Sequence, residues 1–226
     1  MIKFKKFMTE GVDDPAIFKA VFLAGGPGSG KSFIVGKTGL PALGLKVVNS
    51  DDAFETAMKK AGMSMKPDDI FSVKGQDIRG RAKALTGKRQ AMYITGRLGL
   101  VIDGTGKDFQ KVKKQVKSMK DLGYDVAMIF VNTDLETAIE RDKTRERTLG
   151  EVEVTKYWKE VQRNIGAFQT MFGKKNMLIV DNSNGKDFKV ETLRAYRDVT
   201  KFLDKEPDNA KAKAWIKQER EKKKRT

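Results

Sequence analysis

Four short stretches of the 226-residue chain carry side chains whose types and spacing suit phosphate chemistry: GGPGSGKS at 25–32, NSDDAF at 49–54, VIDGTG at 101–106 and ERDKTRERTLG at 140–150. The first fits G-x-x-x-x-G-K-[ST] through Gly25, Gly30, Lys31 and Ser32, with Gly26, Pro27, Gly28 and Ser29 inside the loop and Phe33 just beyond it. Glycines there let backbone N–H groups converge on phosphate oxygens at the start of a helix. Lys31 is then expected to bridge the β- and γ-phosphates of ATP or another nucleoside triphosphate, and Ser32 to ligate Mg²⁺. GKTGLP at 36–41 is not a second copy, because it falls within or just after the helix that the loop opens.

The other stretches complete the chemistry. Asp103 ends an apolar run, where folds of this kind hold Mg²⁺ and its waters. Asp51 and Asp52 follow a short apolar segment, so they belong at the carboxyl end of a strand, where ligands bind in a parallel sheet. A carboxylate there can accept the proton of an attacking hydroxyl, although Asp and Ser before a helix are also ordinary N-caps. Arg141 and Arg145 lie four apart on one helical face, with Arg147 just beyond. Such a group leading into Gly150 suits a lid that neutralises charge in the transition state. The chain has no histidine and no cysteine. Any general base is therefore a carboxylate, Lys or Tyr, zinc lacks its usual ligands, and metal chemistry should use oxygen donors.

The elements that must position these residues are legible as alternating runs. AVFLAG (20–25), LKVVNS (45–50), LGLVIDGTG (98–106), YDVAMIFVN (124–132) and NMLIVDNS (176–183) read as buried strands. Between them, helices are expected to about Lys37 and over 51–62, 107–123, 133–147 with Thr133 as cap, 154–172 and 187–204. Residues 63–97 suggest two helical pieces broken near Gly87. The pattern predicts an α/β P-loop NTPase fold, a five-stranded and mostly parallel sheet with helices on both faces and a short helical lid at about 141–155.

With these stretches in order, the chain resembles the P-loop kinases of the zeta-toxin and polynucleotide-kinase group, and in particular the small kinase-like proteins of tailed bacteriophages. The resemblance rests on GGPGSGKS, NSDDAF, VIDGTG, DLGYDVAMIFVNTDLETAIERDKTRER and IVDNS, which together span residues 25–183. It implies transfer of the ATP γ-phosphate to a hydroxyl: the 5′ end of a nucleic acid, or a small acceptor such as a nucleoside, a nucleotide or a UDP-amino sugar. A regulatory nucleotide-binding protein with little transfer activity is the reading from outside the enzymes. The family's Asp-x-aromatic-Arg pattern selects Asp52 as base, with Phe54 as the aromatic, whereas its N-x-D version selects Asp51. The family arginine is Glu55 here, and Arg79 or Arg81 are candidates to replace it. VDNS implies that Asn182 and Ser183 lie near the adenine.

Composition bounds the setting. A net charge of +16 favours a polyanionic partner such as nucleic acid, or equally a soluble Lys-rich surface. The segment 211–226 holds eight basic and two acidic residues, so +6 of that charge lies there. The division expected is a kinase domain over 1–206 and a basic tail over 207–226, whose Trp215 either stacks on a base or packs on the domain. No apolar run reaches the roughly 20 residues of a membrane span, and a secretory signal pattern is absent. Cytoplasm, or host cytoplasm for a phage-encoded protein, is the expected location. Composition leaves the oligomeric state open.

Overall fold

The structure is a computed structural model that describes residues 11–145 and 148–225, apart from the Phe188 side chain. Five strands form one parallel sheet: β1 (Lys19–Ala24), β2 (Lys46–Val48), β3 (Leu100–Asp103), β4 (Asp125–Asn132) and β5 (Met177–Asp181). Their order is β2-β3-β1-β4-β5, so the loop after β1 lies at the centre, flanked by the ends of β3 and β4. Each strand is short and apolar because both of its faces are covered.

Alternation along β1 divides the core. Ala20, Phe22 and Ala24 face one side with Val116, Met119, Phe168, Phe172 and Ile216, whereas Val21 and Leu23 face the other with Ile34, Val199 and Leu203. The first side is covered by α5 (Phe109–Asp121), α8 (Ile165–Phe172) and α10 (Ala210–Arg225). The second is covered by α1 (Lys31–Lys37) and α9 (Phe188–Leu203). A separate small core of Phe54, Met58, Ile70, Ile78 and Ala82 joins α2 (Ser50–Lys60), α3 (Pro67–Phe71) and α4 (Val73–Thr95).

Three local expectations change. The helix break falls at Ser72, not at Gly87. The Ser72 hydroxyl accepts from the Gly75 N–H at 3.0 Å and caps α4, which runs unbroken through Gly87. A Cβ on Gly87 would meet nothing within 4 Å, so that glycine lowers helix propensity without a structural cause to stop the helix. The cap of α6 (Leu135–Lys143) is Asp134, whose Oδ1 accepts from the Thr137 N–H at 2.7 Å. Thr133 is instead buried, its hydroxyl donating to the Asn182 carbonyl at 3.4 Å. The segment 154–172 is two helices, α7 (Glu151–Arg163) and α8. Asn164 separates them and donates to the carbonyls of Gly106 and Lys107 at 2.9 Å each.

The basic C-terminal segment is a helix docked on the core. Ala212 and Ile216 are buried, and the Trp215 ring meets Phe18 edge-on with centroids 5.5 Å apart, so it packs on the domain instead of standing free to stack. The turn before α10 is pinned at the amino ends of the strands. Asp125, first in β4, accepts from the buried Lys19 ammonium (3.0 Å) and from the backbone N–H groups of Asp208 (2.9 Å) and Asn209 (3.3 Å). Among the described residues, no helix is long and apolar enough to cross a membrane.

Candidate phosphate and acceptor site

Strand order places three of the four chemical stretches at one edge: the β1 loop, the end of β3 and the start of α2 all lie at the carboxyl ends of strands. The loop geometry depends on glycine at two points. Gly28 has φ +72°, and a Cβ there would stand 2.5 Å from the Ala138 carbonyl oxygen on α6. Gly30 has φ +85°, and its Cβ would collide with the Asn182 amide nitrogen. Gly28→Ala is therefore expected to lose about 1–3 kcal/mol to the left-handed backbone alone. The collision with α6 adds to that, and thermal melting together with ATP binding reads both losses.

The loop is clamped from the β5 side. Asn182 is buried and donates to the Ser29 carbonyl at 2.8 Å, while its own carbonyl accepts from Arg141 Nη1 at 2.9 Å. Arg141 also reaches the Gly28 carbonyl at 3.4 Å and Asn184 Oδ1 at 3.4 Å. The Ser183 hydroxyl donates to Asp181 at 2.7 Å and accepts from the Asp134 N–H at 3.0 Å. Both β5-loop side chains thus brace the loop and the start of α6.

Lys31 folds across the loop, its ammonium donating to the carbonyls of Gly25 (2.7 Å) and Gly26 (3.4 Å). Burial pushes its pKa below the ordinary value; Asp103 and Asp51 oppose that, and Arg145 reinforces it. Ser32 and Phe33 are exposed, with the Lys37 ammonium 5.5 Å from the Phe33 ring centroid.

Asp103 is the opposite charge of this pair. Burial raises its pKa, and Asp51 and Asp52 raise it further, while Lys31 pulls it down. Its Oδ2 accepts from the Asn49 amide at 3.1 Å, whereas its Oδ1 is buried without a hydrogen-bond partner. A buried carboxylate oxygen without a partner suits a hard cation held by one or two protein oxygens, phosphates and water, which is how Mg²⁺ binds.

Asn49 explains how the acids are arranged. Its Oδ1 accepts from the Asp51 N–H at 2.8 Å and caps α2, so neither aspartate is the cap. Its amide nitrogen reaches Asp103 and, at 3.4 Å, Asp52 Oδ1. Both aspartates are exposed, and the Asp51 charge is felt at Lys31 as well as at Asp103. Glu55 is exposed too. Arg79 stands over the Phe54 ring at 5.1 Å, and Arg81 pairs with Asp77.

The lid segment is only partly described. Arg145 is exposed and close enough for its charge to act at Lys31, while Arg147 lies outside the described residues. Asp142 was missed in the sequence: it is buried and accepts from the N–H groups of Leu149 (2.8 Å) and Gly150 (3.0 Å), tying that segment back to α6. Trp158 was also missed: its indole donates to the Thr133 carbonyl at 2.8 Å, and its Cα lies 3.7 Å from a Cβ built on Gly26. An isolated Trp in a helical pattern gives no signal for that contact.

The AvrRxo1-ORF1:AvrRxo1-ORF2 complex, solved with sulphate ions and with ATP, matches at TM-scores of 0.56 and 0.55 and 16% identity over 78% of this chain. The chain spans 60% of that protein's length. A gluconokinase from Sinorhizobium meliloti matches at TM-score 0.50 and 15% identity, covering 83% of this chain and 96% of the kinase. The Pnkp1/Rnl/Hen1 RNA repair complex matches at TM-score 0.50 and 19% identity over 66% of this chain and 46% of the other. At such identities the likeness shows the fold. A comparison with curated proteins gives no significant match. The family model described as an AAA domain, AAA_33, matches residues 21–165, more than half of the chain. From β1 to the start of α8, the protein therefore belongs to the AAA_33 family and carries its P-loop kinase-like domain.

Proposed function

We propose that the protein is an ATP- and Mg²⁺-dependent phosphotransferase that moves the γ-phosphate to a hydroxyl, the acceptor being the 5′-hydroxyl of a nucleic acid. The observation that carries this reading is Asn49, which caps α2 and bonds to Asp103, and so sets the acids of α2 against Asp103 and Lys31. Lys31 and the N–H groups of Gly28, Gly30, Lys31 and Ser32 bind the β- and γ-phosphates. Ser32 and Asp103 would hold the metal, which would neutralise charge on those oxygens. Asp51 orients the acceptor hydroxyl and takes its proton as the oxygen attacks the γ-phosphorus, while the bond to the β–γ bridging oxygen breaks and ADP leaves. Arg145 and Arg147 close over the transferring group, and Arg141 braces the loop. Asn182 and Ser183 shape the adenine side.

The nucleic-acid acceptor is favoured by α4, which packs on α2 and carries Lys74, Arg79, Arg81, Lys83, Lys88 and Arg89 against a single acid, Asp77. The small acceptor has an observation of its own: a cavity of about 200 Å³ bordered by Asp103, Thr105, Lys107 and Gln115 over Phe22 and Met128. The two separate by salt. Phosphorylation of a 5′-hydroxyl oligonucleotide should show a KM that rises steeply with salt, whereas a nucleoside or UDP-amino sugar should respond weakly. A nucleoside accepted as fast as an oligonucleotide would shift the acceptor to the small class.

A further inference from the structure

The basic charge of the chain divides between two poles. The α4 charges lie beside α2, but α10 packs at the amino ends of the strands, on Phe18 and near Lys19 and Asp125, opposite the phosphate loop. One face of α10 carries Lys213, Lys217, Arg220 and Lys224 at spacings of four, three and four residues. That stripe runs about 16 Å at 1.5 Å per residue, the reach of two or three backbone phosphates. These four side chains line an open groove of about 350 Å³ with Glu206 and Glu221.

The groove is held ready rather than left loose. Ala212 and Ile216 anchor the helix in the core, the Asn209 amide donates to the Lys120 carbonyl at 2.8 Å, and the Lys223 ammonium reaches Asp13 at 2.9 Å. The stripe's own ion pairs are long and exposed: Lys213–Asp208 at 3.7 Å, Arg220–Glu206 at 3.4 Å and Arg220–Asp13 at 3.9 Å. Such pairs are weak and give way to a phosphate. Lys217 and Lys224 have no ion-pair partner among the described residues. A membrane-surface helix needs an apolar face toward lipid. In α10, Ala212, Trp215 and Ile216 are already turned onto the protein core, so a hydrophilic polyanion fits this face better than a bilayer.

We propose that the groove along α10 is a docking surface for a nucleic-acid backbone, separate from the phosphotransfer site and independent of what that site phosphorylates. The test is fluorescence anisotropy with a labelled 30-nucleotide single strand, without ATP, on the full chain. Lys213→Gln/Lys217→Gln/Lys224→Gln changes only exposed groups and leaves the anchors intact. At 50 mM salt it should weaken binding at least tenfold and lower the log–log salt slope by about two. A control of equal charge change, Lys60→Gln/Lys113→Gln/Lys189→Gln, should cost less than threefold, and ATP binding should be unchanged in both. Lys31→Ala should bind the strand as the parent does, which separates docking from transfer. Equal losses in the two triple variants, or binding to phosphatidylserine vesicles in place of the oligonucleotide, would overturn the proposal.

Discussion

Asp103→Asn should reduce phosphotransfer by about a thousandfold while leaving the ligand-free protein at least as stable as the parent at pH 7. The first half follows from the loss of a metal ligand worth several kcal/mol of charge stabilisation, each 1.36 kcal/mol being tenfold in rate. The second follows from linkage. Burial raises the Asp103 pKa above its unfolded value, so the folded state holds this proton more readily than the unfolded chain. Stability from this group is then greater at low pH and falls as pH rises through the interval between the ordinary carboxylate value and the raised one. At pH 7 the buried charge is a net penalty, which Asn removes; Lys31 loses a compensating charge, so the gain is small. Melting of both proteins at pH 4 and pH 7 checks the sign: the variant's advantage should be larger at pH 7. A variant that melted lower at pH 7 and still transferred phosphate would place the metal elsewhere.

The second large effect distinguishes the two acids of α2. Asp51→Asn should lower kcat by about 10²–10⁴, the range of general-base catalysis, with ATP affinity little changed. Asp52→Asn should lower it much less. The asymmetry rests on position: both charges act on Asp103, but Asp52 faces the Asn49 amide, whereas the Asp51 charge is also felt at Lys31. Single-turnover rates at saturating ATP measure the chemical step directly. The reverse order of effects would move the base to Asp52, and two silent variants would remove the base from α2 altogether.

How much of this was legible beforehand differs by element. Four of the five strands lie within the expected segments and β1 starts one residue earlier, at Lys19; β1, β3 and β4 in particular are largely buried and read as apolar runs. The loop from Gly25 to Ser32 was equally plain, since its spacing is dictated by phosphate geometry. Helix ends were less so. Gly87 looks like a breaker in sequence, but it faces open space, and the true break falls at Ser72, whose extended backbone and capping hydroxyl start α4, with glycine at 75 leaving room for the Asp69 carbonyl. Asn49 as the partner of Asp103 and Asn182 as clamp were hidden for a common reason. Each acts through partners brought near only by the tertiary fold, in the case of Asn182 and Ser29 across 153 residues of chain.

The account stands most directly on one measurement, the fate of a labelled γ-phosphate when ATP and Mg²⁺ are given to the parent protein and to Lys31→Ala with 5′-hydroxyl oligonucleotides and small alcohols present. The account predicts label on a hydroxyl acceptor with the parent and none above background with the variant. Label that stays on bound ATP, or passes only to water, would contradict it and leave a nucleotide-binding protein without transfer.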